Sequence, residues 1–400
     1  MALLFQLPLR FLKTVSCRAL WHFTVGAGLG NLMAFARFQR RKRKGRLFPP
    51  IVFASVTQRC NLQCRGCWAT GVQDPVDMSP ELLQKIVDDS AKKGVRFFGI
   101  LGGEPLLLPW LPAFFKKNRK AYFQLFTNGR FLDQSVADAL RVAGNVSPLI
   151  SVEGVGASYA ARRGDDAMYD AALQAIEACR RAKLVTGVAV SVSASNMADV
   201  VQPGFIDEMV VRGAHYVWYY IYRPSGPNPG FEEALSDAQV RQLRQFLVDQ
   251  RKRVTQAVII DAYWDAEGHA RCPAAVGINV HVSAGGAVEV CPPVQCADAR
   301  MTAAGDFVTT VEQSTFIRAF QAQVPNWTTG CVLMDHPDAL AQLAMACQAQ
   351  DSSGRHTFFR ELSERTVCGC HNHSGSPIPE SSWFYRCMKR TLFFGFGSYA

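Results

Sequence analysis

"IVFASVTQRCNLQCRGCWATG", Ile51 to Gly71, sets a short apolar run directly against three cysteines, Cys60, Cys64 and Cys67. The β-branched and aromatic residues of "IVFASVT" predict a strand, so the thiols begin where that strand ends. When strands are joined by helices, the groups that carry chemistry gather at the strands' C-terminal ends. This junction therefore fixes which end of the fold is reactive.

Outward from it the same texture recurs. "VRFFGILG" (95–102), "YFQLFT" (122–127), "SPLISVE" (147–153), "TGVAVSVS" (186–193) and "HYVWYYIY" (215–222) read as further strands. Amphipathic stretches separate them. The first has Ser79 as N-cap, Pro80 at the first helical position, one apolar face of Leu82, Leu83, Ile86 and Val87, and Gly94 as its stop. Similar periodicity returns near 133–142, 168–182, 202–212 and 236–252. Parallel neighbours need crossovers, so strand–helix units in series predict a parallel sheet. The expected fold is α/β, a partial (β/α)6 TIM-like barrel. "GGEP" (Gly102–Pro105) then follows the second strand, Thr127 and Asn128 end the third, and Glu153 ends the fourth, all on the rim of the cysteines.

Beyond residue 255, "AVIIDAYW", "INVHV" and "AVEV" predict the short strands of a smaller, separate sheet, with helical stretches near 310–322 and 338–349. The expected organisation is an N-terminal arm (1–48), the barrel (49–254), a small α+β region (255–335), and a helical and irregular tail (336–400).

The formal charge is +10, from 43 basic and 33 acidic residues. The excess sits at one end. Residues 1–46 contain no Asp or Glu and carry Arg10, Lys13, Arg18, Arg37, Arg40, Arg41, Lys42, Arg43, Lys44 and Arg46; beyond them the signs balance, which gives the body no reason to bind nucleic acid. The arm's apolar stretch is diluted by His22, Asn31 and glycines. It fits an interfacial helix at an anionic membrane surface, or an arm packed on the barrel, better than a span. No small-residue cleavage site marks a signal peptide. With 13 cysteines, a reducing, cytoplasmic setting makes metal or cluster chemistry the natural use of those thiols, with peripheral contact on the inner membrane face as the membrane alternative.

A structural zinc site takes four ligands, usually from two paired knuckles; here one group of three is local. Three thiolates on an iron–sulfur cube leave one iron open. Cys60-x3-Cys64-x2-Cys67 after a first barrel strand, with "GGEP" after the second, resembles the radical S-adenosylmethionine (radical SAM) superfamily. The resemblance spans residues 51–222. It implies a 4Fe–4S cluster on Cys60, Cys64 and Cys67, and S-adenosylmethionine chelating the open iron. Gly102, Gly103 and Glu104 would then hold the methionyl amine. The family often has an aromatic residue just before its third cysteine; this chain has Gly66 there and Trp68 just after. Trp68, Thr127, Asn128, Ser151 and Ser193 are the remaining rim candidates for the cofactor. The implied chemistry is one-electron cleavage of the sulfonium and hydrogen abstraction by a deoxyadenosyl radical, with a flavodoxin or ferredoxin as reductant.

In "RCPAAVGINVHVSAGGAVEVC" a hairpin turning at Gly285–Gly286 would bring Cys272 and Cys291 together. The segment resembles the SPASM/Twitch extensions of that superfamily, which implies an auxiliary 4Fe–4S cluster with Cys331 as third ligand and Cys296 as its competitor. Cys368, Cys370, His371 and His373 in "VCGCHNH" are candidates for zinc or for completing a cluster. Cys17, Cys179, Cys347 and Cys387 read as packing or incidental residues. Glu153, Tyr222 and Arg223 are the rim side chains selected for substrate contact. Three function classes remain: a radical SAM enzyme acting on a peptide or small molecule, the same chemistry on a lipid or lipid-linked substrate, and a non-catalytic iron–sulfur electron-transfer or sensing protein.

Overall fold

The computed structural model describes residues 2–261, 263–368 and 371–391. All six predicted strands are present: β1 (Ile51–Ser55), β2 (Phe97–Leu101), β3 (Tyr122–Thr127), β4 (Val146–Ser151), β5 (Gly187–Val192) and β6 (Tyr216–Ile221). Each pairs in parallel with the next, in registers such as Ile51 with Phe97 and Phe97 with Tyr122. Their side chains are buried on both faces, as expected for a parallel sheet covered by helices. The helix Pro80–Lys92 begins as its sequence requires: Ser79 Oγ accepts from the Leu82 amide at 3.1 Å, and Gly94 closes the turn at φ +82°.

The separate small sheet expected after residue 255 does not form from those three segments. β7 (Val258–Asp261) pairs in parallel with β6, and β8 (Asn279–Val282) pairs in parallel with β1. From β8 the chain turns through Gly286, φ +86°, into β9 (Val288–Glu289), which returns antiparallel. The hairpin is thus the expected one, but it extends the main sheet, whose order is β7–β6–β5–β4–β3–β2–β1–β8–β9. Six strands that stop short of closure leave unpaired backbone groups along β1 and β6. The later strands satisfy those edges. Among the described residues, only Cys296–Ala297 and Gln350–Asp351 form a sheet of their own.

The arm packs across the base of the barrel, where the strands start. Phe35 and Phe38, in the helix Asn31–Lys42, cluster with Ile51, Phe97, Tyr122 and Ile278, all at or beside strand N-termini. Phe23 meets Tyr122 edge-on at 5.9 Å, and Phe11 meets His215 at 4.9 Å. Arg10 and Arg41 donate to the Val210 and Lys93 carbonyls at 2.8 and 2.9 Å. The arm's outer face leaves Leu9, Leu12, Trp21, Leu29 and Met33 exposed. Among the described residues, no helix is long and apolar enough to cross a membrane.

An ionic knot ties the tail to β7. Asp261 is held by Arg251 at 2.5 Å, Lys389 at 2.9 Å and Arg244 at 3.5 Å, and Glu380 accepts from Arg251 at 2.8 Å. All five side chains are essentially buried. Three cations against two anions, each hydrogen-bonded, make such a cluster tolerable in a dry interior. Arg244 also donates to the Ile378 carbonyl, and the Tyr385 hydroxyl accepts from the Ile259 amide at 2.9 Å. Residues 378–389 are thereby fastened along the sheet's β7 edge.

Candidate active site

The loop after β1 is shaped by backbone contacts that only glycine allows. Gly103 and Glu104 donate their amides to the Thr57 and Arg59 carbonyls at 2.8 and 2.9 Å. A Cβ on Gly102 would lie 2.3 Å from the Thr57 oxygen, and one on Gly103 would lie 2.1 Å from the Arg59 oxygen. The "GGE" loop thus lies flat on the chain leading to Cys60, and two glycines are the condition for that approach. Thr57 Oγ1 donates to Asp77 at 2.6 Å, bracing the same segment from its other side.

On the far side, the loop after β6 cradles the cysteines. Gly66 has φ +70°, and a Cβ there would lie 1.9 Å from the Tyr222 hydroxyl. The Gly66 amide donates to the Asn228 carbonyl at 2.8 Å. Gly66→Ala is expected to push the loop off Tyr222, at an overpacking cost of about 1–3 kcal/mol, and to lower the iron bound per chain; iron assay after anaerobic reconstitution reads this.

Cys60, Cys64 and Cys67 line one cavity of about 400 Å³, and Cys272, Cys291 and Cys331 line the same cavity. Burial pushes the Cys60 thiol up to about 12 and the Cys67 thiol up to about 11, helped by the other sulfurs of the loop. Burial likewise raises Cys272 to about 11, and Cys291 well above the usual thiol value, with Cys331 adding repulsion to both. Thiols this reluctant to ionise together need a strong cation to take their protons' place. Among the described residues no three His, Cys, Asp or Glu side chains converge on a single-ion position. Both groups of three thiols line this one cavity, and three thiolates are a donor set that suits an iron–sulfur cluster.

Around the first triad, Glu153 ion-pairs with Arg162 at 3.0 Å and Arg163 at 3.1 Å. Arg163 Nη1 also donates to Cys64 Sγ at 3.5 Å. The arginine thus places positive charge against a sulfur whose anionic form would ligate.

The comparisons with known proteins agree with this geometry. Residues 54–202 match the model of the Radical SAM superfamily. This chain carries a radical SAM domain. Its relatives include Fe-coproporphyrin III synthase of Methanosarcina barkeri, 25% identical over 211 residues, covering 51% of this chain and 52% of that protein. Pre-heme d1 synthase of Dinoroseobacter shibae is 30% identical over 37% of each chain. Mycofactocin maturase MftC of Mycolicibacterium smegmatis is 26% identical over 56% of this chain and 57% of its own. The chain therefore spans 37–57% of the length of these three curated relatives. In fold, it resembles Streptococcus suis SuiB bound to S-adenosylmethionine, with TM-score 0.61 and 13% identity over 71% of this chain and 70% of that one.

Of the residues singled out in the sequence, Trp68, Gly102, Gly103, Thr127, Asn128, Ser151, Glu153 and Arg223 line the cavity. Three predicted residues do not. Glu104 is buried, and its carboxylate accepts from Thr127 Oγ1 at 2.8 Å and from the Asn128 and Leu106 amides at 2.8 and 3.1 Å; it locks the second rim loop to the third, where a ligand contact was expected. Ser193, just past the end of β5, is buried behind the wall, its amide donating to Asn196; Ser191, two residues earlier within β5, takes the lining position. Tyr222 donates to the Pro229 carbonyl at 2.5 Å and props the cysteine loop, so it is removed from the substrate-facing set. Of the second cysteine group's competitors, Cys296 is buried in its own short strand and lies outside the cavity lining. Cys370 lies outside the described residues. Sequence reasoning missed Arg162, Arg163 and Ser191; the "RRG" after Glu153 was the available signal, two adjacent cations shortly after a rim carboxylate.

Proposed function

We propose that the chain is a radical SAM enzyme that abstracts hydrogen from a peptide or small-molecule substrate. The observation that carries this reading is the "GGE" loop lying on the loop of Cys60, Cys64 and Cys67, with all three thiols facing one cavity. Cys60, Cys64 and Cys67 would hold the 4Fe–4S cluster. The Gly102–Gly103 backbone, Trp68, Asn128 and Ser151 would hold S-adenosylmethionine along the adjoining wall. When bound, these two cofactors supply one-electron cleavage of the sulfonium to a 5′-deoxyadenosyl radical.

The chain's own residues do the positioning. Arg163 stands against Cys64, and Glu153 keeps both arginines in place. Arg223, over the Tyr263 ring at 4.8 Å, offers a fixed cation to an anionic group of the substrate. Trp218, Tyr220 and Tyr263 wall off the interior and exclude water. Cys272, Cys291 and Cys331 would hold an auxiliary cluster across the cavity from the first. The named activities of the relatives, on peptides and on small molecules, support this range of substrates. A reductant of the flavodoxin or ferredoxin kind belongs to the same reading. The arm packs at the end of the barrel away from the cavity, which favours these substrates over a lipid.

Anaerobically reconstituted protein given dithionite and S-adenosylmethionine is expected to release 5′-deoxyadenosine. A cluster-loaded preparation that releases none overturns the reading.

A further inference from the structure

We propose that His371 is a nitrogen ligand of the second metal site, completing a set with Cys272, Cys291 and Cys331. The proposal rests on reading those three thiols as the seat of an iron–sulfur cluster. His371 is 1% exposed and lines the same cavity as the thiols. Neither of its ring nitrogens has a hydrogen-bond partner; the Arg271 and Thr329 backbone groups beside it miss the geometry. A neutral imidazole carries one donor and one acceptor, and a buried polar group left unmet loses its hydration with nothing in return. Folded proteins rarely accept that cost twice in one ring without a ligand to recover it.

The ring is nonetheless firmly oriented. It stacks on Tyr263 at 4.7 Å and 20°, and Tyr263 accepts from Arg223 Nη1 at 2.9 Å. The His371 carbonyl accepts from the Trp264 indole at 2.9 Å. Packing and the backbone therefore fix the imidazole while its nitrogens stay open, as a ligating histidine needs. Among the described residues, two other nearby donors are otherwise placed. Cys368 faces Cys331 and Arg365 from outside the cavity lining. Glu289 is engaged by His281 at 2.5 Å. Iron in sulfur clusters accepts imidazole beside thiolate, and the exchange raises the reduction potential.

The test uses the full chain with Cys60, Cys64 and Cys67 all changed to alanine, so that only the second site loads. It is reconstituted anaerobically with ferrous iron and sulfide, with natural-abundance or 15N-labelled histidine, then reduced for pulsed EPR. The expected result is about four irons per chain and a nitrogen coupling that changes with the isotope. In His371→Cys the coupling disappears, the iron stays, and the reduction potential falls. An iron-loaded chain without the coupling, or with it intact in His371→Cys, overturns the ligand assignment. So does iron loss in Cys370→Ala with none in His371→Ala. A chain that takes up no iron or sulfide, or equal amounts with and without Cys272→Ala, overturns the cluster reading itself.

Discussion

Cys64→Ala is expected to take 5′-deoxyadenosine release down to the level of iron-free protein. Partners that merely orient a metal ligand are typically worth about 10–100-fold in affinity or activity, so loss of a ligand is expected to exceed about 100-fold. Its loop holds no fourth cysteine to replace it. Cys60 and Cys67 are fixed by their own turns, and Arg163, which donates to Cys64 at 3.5 Å, would face the vacated position with a positive charge that repels iron. The comparison variant is Cys179→Ala. Cys179 is fully buried in the helix Met168–Arg181, far from the rim, and its replacement is expected to lower stability while leaving product release per bound iron unchanged. Equal turnover by Cys64→Ala and the parent protein would remove the first triad from the mechanism.

The second large effect concerns the fold. Asp261→Asn leaves Arg244, Arg251 and Lys389 buried with one carboxylate among them, and removal of one partner from a buried ionic group typically costs about 3–5 kcal/mol. Chemical denaturation under reducing conditions reads it, with exposed Asp249→Asn expected within about 0.5 kcal/mol of the parent. Burial would push the Asp261 carboxyl up; Arg251, Lys389 and Arg244 outweigh it and hold the group well below the usual carboxylate range. A carboxyl whose folded value lies below its unfolded one stabilises fully above the unfolded value, near 3.8, and loses that contribution only as pH falls toward the folded value. The part of the gap between parent and Asp261→Asn that comes from Asp261 should therefore persist to pH 5 and be lost only in strong acid. Lys389, which burial lowers to about 8 against the pull of Asp261, falls further in the variant and widens the gap as pH drops from 8. A gap that closes between pH 7 and 5 would mean that Asp261 is not held in this way.

The barrel was legible because each of its strands carries a local signature: "IVFAS" and "YFQLFT" show β-branched and aromatic runs bounded by turns, and Ser79–Pro80 announces a helix. The cysteine loop was legible because spacing alone brings Cys60, Cys64 and Cys67 within reach of one group. What stayed hidden depends on distant partners. "VIID" and "NVHV" read as strands, but periodicity tells which face is buried and not which edge is paired, so their joining of β6 and β1 had no local sign. Glu104 looked like a ligand because two of the donors to its carboxylate lie 23 and 24 residues away, on Thr127 and Asn128. The ionic knot joins Asp261 to residues more than 110 positions later, and no window of sequence spans it.

The fastening of residues 378–389 to β7 bears on when the protein can be made ready for use. His371 lies just upstream of that fastening, so the cavity wall it forms is complete only after residues 371–389 have left the ribosome and docked. Iron delivered earlier would meet a half-built pocket open to water and oxygen. Metal loading should accordingly be a late maturation event, separable in time from folding of the barrel strands.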